Sequence, residues 1–246
     1  MKIIVSPAKQ MRVQTDIFMA DRPVFMEDAK KLCNLLKTYS FAELKQLYGA
    51  NDKITEQNYN RLKEMNLDGP LTPAVLAYVG LQYQSMAPDI FTLDQWEYVK
   101  KHLYILSGFY GILKAADGVV PYRLEMQAKL SIDGKKDLYA YWGKRLYEQL
   151  VLEGDRIIIN LASKEYSKAI EPWLGEEDTF LTCIFGTETD GKVKVKATAA
   201  KMARGEMVRY LSEHQVDDVA EIKKFNRLGY TFRPEYSTDT EYVYTV

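Results

Sequence analysis

The chain is poor in the residues that build metal and redox centres. It has two cysteines, Cys33 and Cys183, and two histidines, His102 and His214, in 246 residues. Two lone, distant cysteines make neither a CxxC redox motif nor a zinc framework. Free thiols in a reducing compartment are the expectation. The histidines form no HExxH motif and no i,i+4 pair, so a conventional zinc site is not expected. Nothing marks a haem or iron–sulfur site, and no carboxylate spacing argues for oxygen-only iron ligation. The expected cofactor complement is therefore none. Long apolar runs are missing too. No stretch approaches the roughly 18 residues of a membrane helix, and the opening MKIIVSPAKQ is too short in apolar residues for a signal peptide. A cytoplasmic protein with no membrane partner is expected. Nor is charge of one sign in excess. With 33 basic and 34 acidic side chains the net charge is -1, so any contact with nucleic acid must come from a local cluster. The Walker lysine, GxGxxG and Gly-x-Ser-x-Gly are all absent.

What is present is an ordinary globular balance, 47% hydrophobic and 27% charged, enough to fold around a core without disulfides or metals. Residues 2–5 read as a buried strand stopped by Ser6-Pro7. Residues 10–25 read as a loop. Helical spacing covers 26–48, with Ser40 and Glu43 as a capping box. Further helices are expected over 53–65, 73–79, 93–106, 137–152 and 199–214. The continuous apolar run at 156–162 suits a strand covered on both faces. Strands over 179–186 and 192–198 are joined by Asp190-Gly191, a hairpin signal, and 240–246 is a last strand. No linker or repeat divides the chain. The expectation is one α+β domain over 1–246, with a mixed sheet, helices around it and a polar cleft.

Four stretches could carry chemistry. Ser6-Pro7-Ala8-Lys9 follows the first strand, where α/β sheets present ligand sites. It offers a hydroxyl and an ammonium to a phosphate or carboxylate, and reads equally as a turn with a surface lysine. The densest stretch runs from Leu106 to Met126. In it Ser107 and Tyr110 sit among glycines, and Arg123 and Glu125 alternate with Tyr122, Leu124 and Met126. An extended backbone puts both charges on one face. A structural Arg–Glu pair competes with anion binding there, because the guanidinium fork suits carboxylates as well as phosphates. The third stretch, Asn160 to Tyr166, brings Ser163 and Glu165 to the end of the second buried strand; Ser163 reads first as a helix cap. The fourth is basic: Lys192, Lys194, Lys196, Lys201, Arg204 and Arg209, opposed only by Glu206. At about 100° per residue, Lys201, Arg204 and Arg209 share roughly a 140° arc. This is a candidate phosphate-backbone surface or a solvated face.

These segments, in this order, resemble the YaaA family of bacterial peroxide stress proteins. The match extends through Asp137-Leu138-Tyr139 with Trp142-Gly143, Ala203-Arg204-Gly205 with Met207, Phe225-Asn226 and Gly229-Tyr230, and less tightly through Asn51-Asp52-Lys53. Each motif is modest; their joint order across the whole chain is specific. The resemblance implies a role in surviving hydrogen peroxide by limiting unincorporated iron and so DNA damage. It implies an unusual α/β fold and no assigned reaction. A similar family member binds DNA through a positively charged cleft and a helix-hairpin-helix element. Here that element would fall around 40–66, with Lys53 beside its turn, although Asp52 and Glu56 lower its attraction for phosphate.

Two functional expectations follow. The first is a DNA-binding stress protein whose cleft is lined by Lys9, Arg123, Lys201, Arg204 and Arg209, with Ser6, Asn160 and Ser163 as neutral donors. The second is an enzyme acting on a small anionic or nucleotide-like ligand, with Glu125 or Glu165 as acid or base and Lys9 or Arg123 as clamp. Direct iron sequestration ranks below both, given so little histidine and cysteine.

Overall fold

The computed structural model describes residues 1–15 and 20–246. The elements that position the cleft begin with strand β1 (Lys2–Val5), followed by helices α1 (Met26–Lys37), α2 (Phe41–Tyr48), α3 (Asp52–Glu64), α4 (Leu81–Met86) and α5 (Leu93–His102). Next come β2 (Leu103–Ser107), β3 (Gly111–Lys114), α6 (Leu138–Trp142), α7 (Arg145–Leu150), β4 (Ile157–Leu161) and α8 (Lys164–Ser167). The chain continues with β5 (Thr179–Thr189), β6 (Lys192–Lys194), α9 (Ala197–Glu213), β7 (Thr231–Phe232) and β8 (Glu241–Thr245).

The eight strands form one mixed sheet in the order β7-β8-β5-β4-β1-β2-β3, with β6 paired to β5. Its centre is parallel. β1 lies between β2 and β4, in register Ile3 with Leu103 and Ile3 with Ile159. The antiparallel pairs sit at the margins: β2 with β3, β7 with β8, and the β5–β6 hairpin. The physical cause is burial. Ile3, Ile4, Val5, Ile105, Leu106, Ile158, Ile159 and Leu161 are all completely inaccessible, so both faces of the central strands are covered. The expected mixed sheet is therefore present, with helices around it. At the far side, Phe185 stacks on Tyr244 at 5.2 Å, and Phe225 meets both edge-on. These Phe225 and Tyr230 motif residues build core.

Several expected boundaries move. The helix expected over 93–106 ends at His102, and the chain passes directly into β2. Leu103 to Leu106 continues the apolar pattern, so helix and strand merge in sequence. The 137–152 helix is two, broken at Gly143, whose φ of 52° lies in the left-handed region. The 26–48 stretch is α1 and α2, and Ser40 caps α2 in the expected reciprocal box with Glu43. Residues 73–79 are not one helix: Ala74–Ala77 make a single turn between short strands. Lys196 takes the N-cap position of α9, with no side-chain cap, rather than extending β6. The expected 10–25 loop includes a short strand at Gln10–Met11; its 16–19 portion lies outside the described residues.

One packing contact positions the cleft more than any other. Helix α9 crosses α4 at Gly205, where a Cβ would stand 2.0 Å from the Gln82 carbonyl oxygen. Only a glycine permits that approach. It brings Arg204 of α9 and Gln82 of α4 to one wall.

Candidate functional site

The cleft opens where the sheet changes direction. The chain leaves the carboxyl end of β1 towards the side occupied by β2, and leaves β4 towards β5. The loops part between β1 and β4, which is where open parallel sheets bind ligands. Ser6 and Ser163 hold the two strand ends together. The Ser163 N–H donates to Ser6 Oγ at 2.8 Å, and the two hydroxyl oxygens lie 3.2 Å apart. Tyr83 Oη donates to the Ser6 carbonyl at 2.9 Å, tying α4 to the same corner.

Above this corner is a cavity of about 340 Å³. Its wall draws on all four sequence stretches: Ser6 and Lys9, then Tyr122, Arg123 and Glu125, then Ser163 and Glu165, then Lys201 and Arg204. A second hollow of about 730 Å³ shares Lys9 and Glu125 with it and runs to Tyr48 and Gly49 at the end of α2. The two hollows thus adjoin at the Lys9–Glu125 pair, one on the α9 side and one on the α2 side.

The charges along it are unevenly paired. Glu125 Oε1 accepts from Arg123 at 3.0 Å and lies 3.1 Å from Lys9 Nζ, so one carboxylate oxygen serves two cations. Residues 122–126 alternate as expected: Tyr122, Leu124 and Met126 are buried, while Arg123 and Glu125 face the groove. Arg123 also lies 6.0 Å over the Tyr48 ring. Among the described residues, Lys201 and Arg204 have no carboxylate partner. Burial weakens the hold of Arg204 on its proton, with Cys183 partly opposing this; an arginine still stays charged. Four cations against Glu125 and Glu165 leave the cavity with a surplus of two positive charges. Glu165 has its carboxyl pKa raised, first by burial and then by Glu125. It accepts from the Gln127 N–H at 3.3 Å.

Three buried donors on this wall find no acceptor among the described residues: Arg204 Nε, Arg123 Nε and Gln82 Nε2. Buried polar groups normally have partners. Their concentration on one cavity distinguishes it from ordinary surface.

Other expected site residues lie elsewhere. Ser107 and Tyr110 sit below the floor, completely buried. Ser107 Oγ accepts from the N–H groups of Phe109 and Tyr110 and lies 2.6 Å from Tyr122 Oη, which is 2.8 Å from Tyr78 Oη. Burial pushes the Tyr122 phenol up to about 12. This hydroxyl chain props up the 122–125 segment. Gly108 supports it from below, because a Cβ there would lie 2.6 Å from the Leu124 carbonyl. Asn160 is buried and turns inward, accepting from Ala162 N and donating to Thr182 Oγ1. Arg209 pairs with Glu213 at 2.8 Å and lines a separate groove. It occupies the far edge of the helical arc, away from the Lys201 and Arg204 side. Lys53 is exposed on α3 and outside both hollows. The α2–α3 pair forms two helices joined across Gly49, which is left-handed, and Asn51, which caps α3.

Sequence reading missed Gln82 and Tyr83 as lining residues, while Tyr166, the end of the third stretch, lines the cavity with Ser163 and Glu165. No local motif marks Gln82. The one usable signal was Gly205 within a helix, which implies close approach by another backbone.

Comparison with known proteins gives a consistent result. A family model described as peroxide stress protein YaaA matches residues 1–236. A UPF0246 protein of Agathobacter rectalis is 52% identical over 245 residues, covering 99% of this chain and 98% of the relative. One from Pediococcus pentosaceus is 50% identical over 245 residues, covering 99% and 97%. UPF0246 protein DSY0297 of Desulfitobacterium hafniense is 50% identical over 246 residues, covering 99% and 97%.

Proposed function

Since the chain belongs to the peroxide stress protein YaaA family, we propose that it guards DNA during peroxide stress by holding phosphates in the cleft. One observation carries this reading. Lys9, Arg123, Lys201 and Arg204, far apart in sequence, converge on one cavity with more positive charge than its carboxylates neutralise. Phosphate contacts supply affinity without base information, so binding is mostly independent of sequence. Iron(II) held at DNA phosphates reduces peroxide to hydroxyl radical beside the bases. A protein on those oxygens competes with the metal and limits that damage. The α2–α3 pair, beside the adjoining hollow, offers a second phosphate contact near Gly49.

A second reading has its own observation. Glu165, with its raised pKa, lines the same cavity. Such a carboxyl can act as a general acid on a small anionic substrate.

The test is binding of a labelled duplex and a labelled single strand across a salt series. Binding that weakens steeply with salt supports the DNA reading. The double variant Lys201→Glu/Arg204→Glu is expected to lose far more affinity than Lys101→Glu on α5. Equal losses would remove the cleft as the binding surface. No binding at low salt would move the function to the small-molecule reading.

A further inference from the structure

We propose that the 340 Å³ cavity takes a terminal phosphate monoester on a single nucleotide, either a free mononucleotide or the phosphorylated end of a strand. This rests on the reading above that the cleft takes phosphates, and it names which phosphate.

Three observations point to that class. The first is the set of unpartnered donors. Gln82 is 7% exposed, and its Nε2 has no acceptor among the described residues, as is true of Arg204 Nε and Arg123 Nε. Removing amide and guanidinium donors from water without partners costs stability, and a ligand with several acceptor oxygens would recover it. The second is charge. The surplus of two matches a monoester dianion better than the single charge of an internal diester. Charge-assisted bonds from guanidinium groups are the strong ones for phosphate. The third is size and lining. At about 340 Å³ the cavity is at the small end of ligand pockets. An internal diester would have to bring two nucleosides with it. Val79, Leu81, Tyr83 and Tyr166 give the rest of the wall an apolar character, the kind of surface on which a base stacks. Gly205 keeps the donor pair together by letting the Gln82 backbone meet α9.

The experiment uses the full chain and labelled single strands identical except for a terminal phosphate or hydroxyl, at either end. Thymidine monophosphate and thymidine serve as competitors. The phosphorylated strand is expected to bind about tenfold more tightly, the discrimination a charge-assisted contact gives. The monophosphate should compete and the nucleoside should not. Arg204→Met should erase the difference, and Gln82→Leu should reduce it. Arg204→Met should also melt no lower than the wild type, because it removes a buried cation without a partner, and it should lose the melting shift that the monophosphate produces in the wild type. Equal binding of both ends without competition, alongside salt-dependent duplex binding, overturns the proposal and leaves the DNA reading standing. Monophosphate binding without any strand binding overturns the DNA reading and keeps the nucleotide pocket. A monophosphate shift that persists in both Arg204→Met and Gln82→Leu makes those residues structural and overturns the assignment.

Discussion

Asp117 shows how much one side chain can tie stability to pH. Its carboxylate accepts the Lys114 N–H at 2.8 Å in the turn after β3, yet burial, with Asp21 adding to it, raises its pKa to about 7. The unfolded value is near 3.8. Between these two values the folded state holds more protons than the unfolded one. Stability from this group is full below the lower value and falls as pH rises through the upper one. The loss is at most about 4 kcal/mol at about 1.4 kcal/mol per unit. Asp117→Asn keeps an acceptor for Lys114, and denaturation measured across that window should show a flatter pH dependence than the wild type. Tyr122 makes the complementary case. Tyr122→Phe takes away the partner of the Tyr78 hydroxyl and one of the partners of Ser107 Oγ, and should cost about 1–3 kcal/mol in chemical denaturation while loosening the segment that carries Arg123.

At the scale of elements, two substitutions should separate scaffold from site. Ser40→Ala removes the cap of α2 and should cost about 1 kcal/mol, read as a lower melting temperature with strand binding largely kept. Gly205→Ala forces α9 away from α4, costing about 1–3 kcal/mol or more by overpacking. It should weaken nucleotide binding as well, since Gln82 and Arg204 part. The same elements show what the sequence made legible. Strand β1, the capped α2, the Asp190-Gly191 hairpin and the alternation at 122–126 follow from local rules: period, capping, turn chemistry. Asp190 and Gly191 both take positive φ, as that turn requires. The junction of α5 with β2 escaped because an apolar run has no period that separates a buried helix end from a buried strand. Of the candidate site, Lys9 and Glu165 were readable from their places beside strand ends, Arg123 from the alternation at 122–126, and Lys201 and Arg204 from the basic stretch. Gln82 was not, since its place depends on a glycine more than a hundred residues later. Ser107, Tyr110 and Asn160 were read as ligand donors because polarity in a dense motif looks the same whether it faces a cleft or supports its floor.

For the whole molecule, a near-zero net charge and a basic cleft coexist because the rest of the chain is acidic: with two positive charges in surplus at the cleft, a total of -1 leaves -3 elsewhere. If the cleft's surplus of two positive charges is what meets duplex phosphate, the logarithm of affinity should fall with the logarithm of salt at a slope of about -1.8. Lys201→Gln should reduce that slope by about 0.9. The sheet order carries a further consequence, for the birth of the protein rather than its function. β1 is made early but lies at the centre of the sheet, with Ile3 opposite Leu103 on one side and Ile159 on the other. At elongation rates of about 5–20 residues per second, its second neighbour emerges on the order of ten to thirty seconds later. During that interval the Ile3–Val5 ribbon is a sticky, half-paired template on the nascent chain, so truncations ending before β4 should aggregate rather than fold.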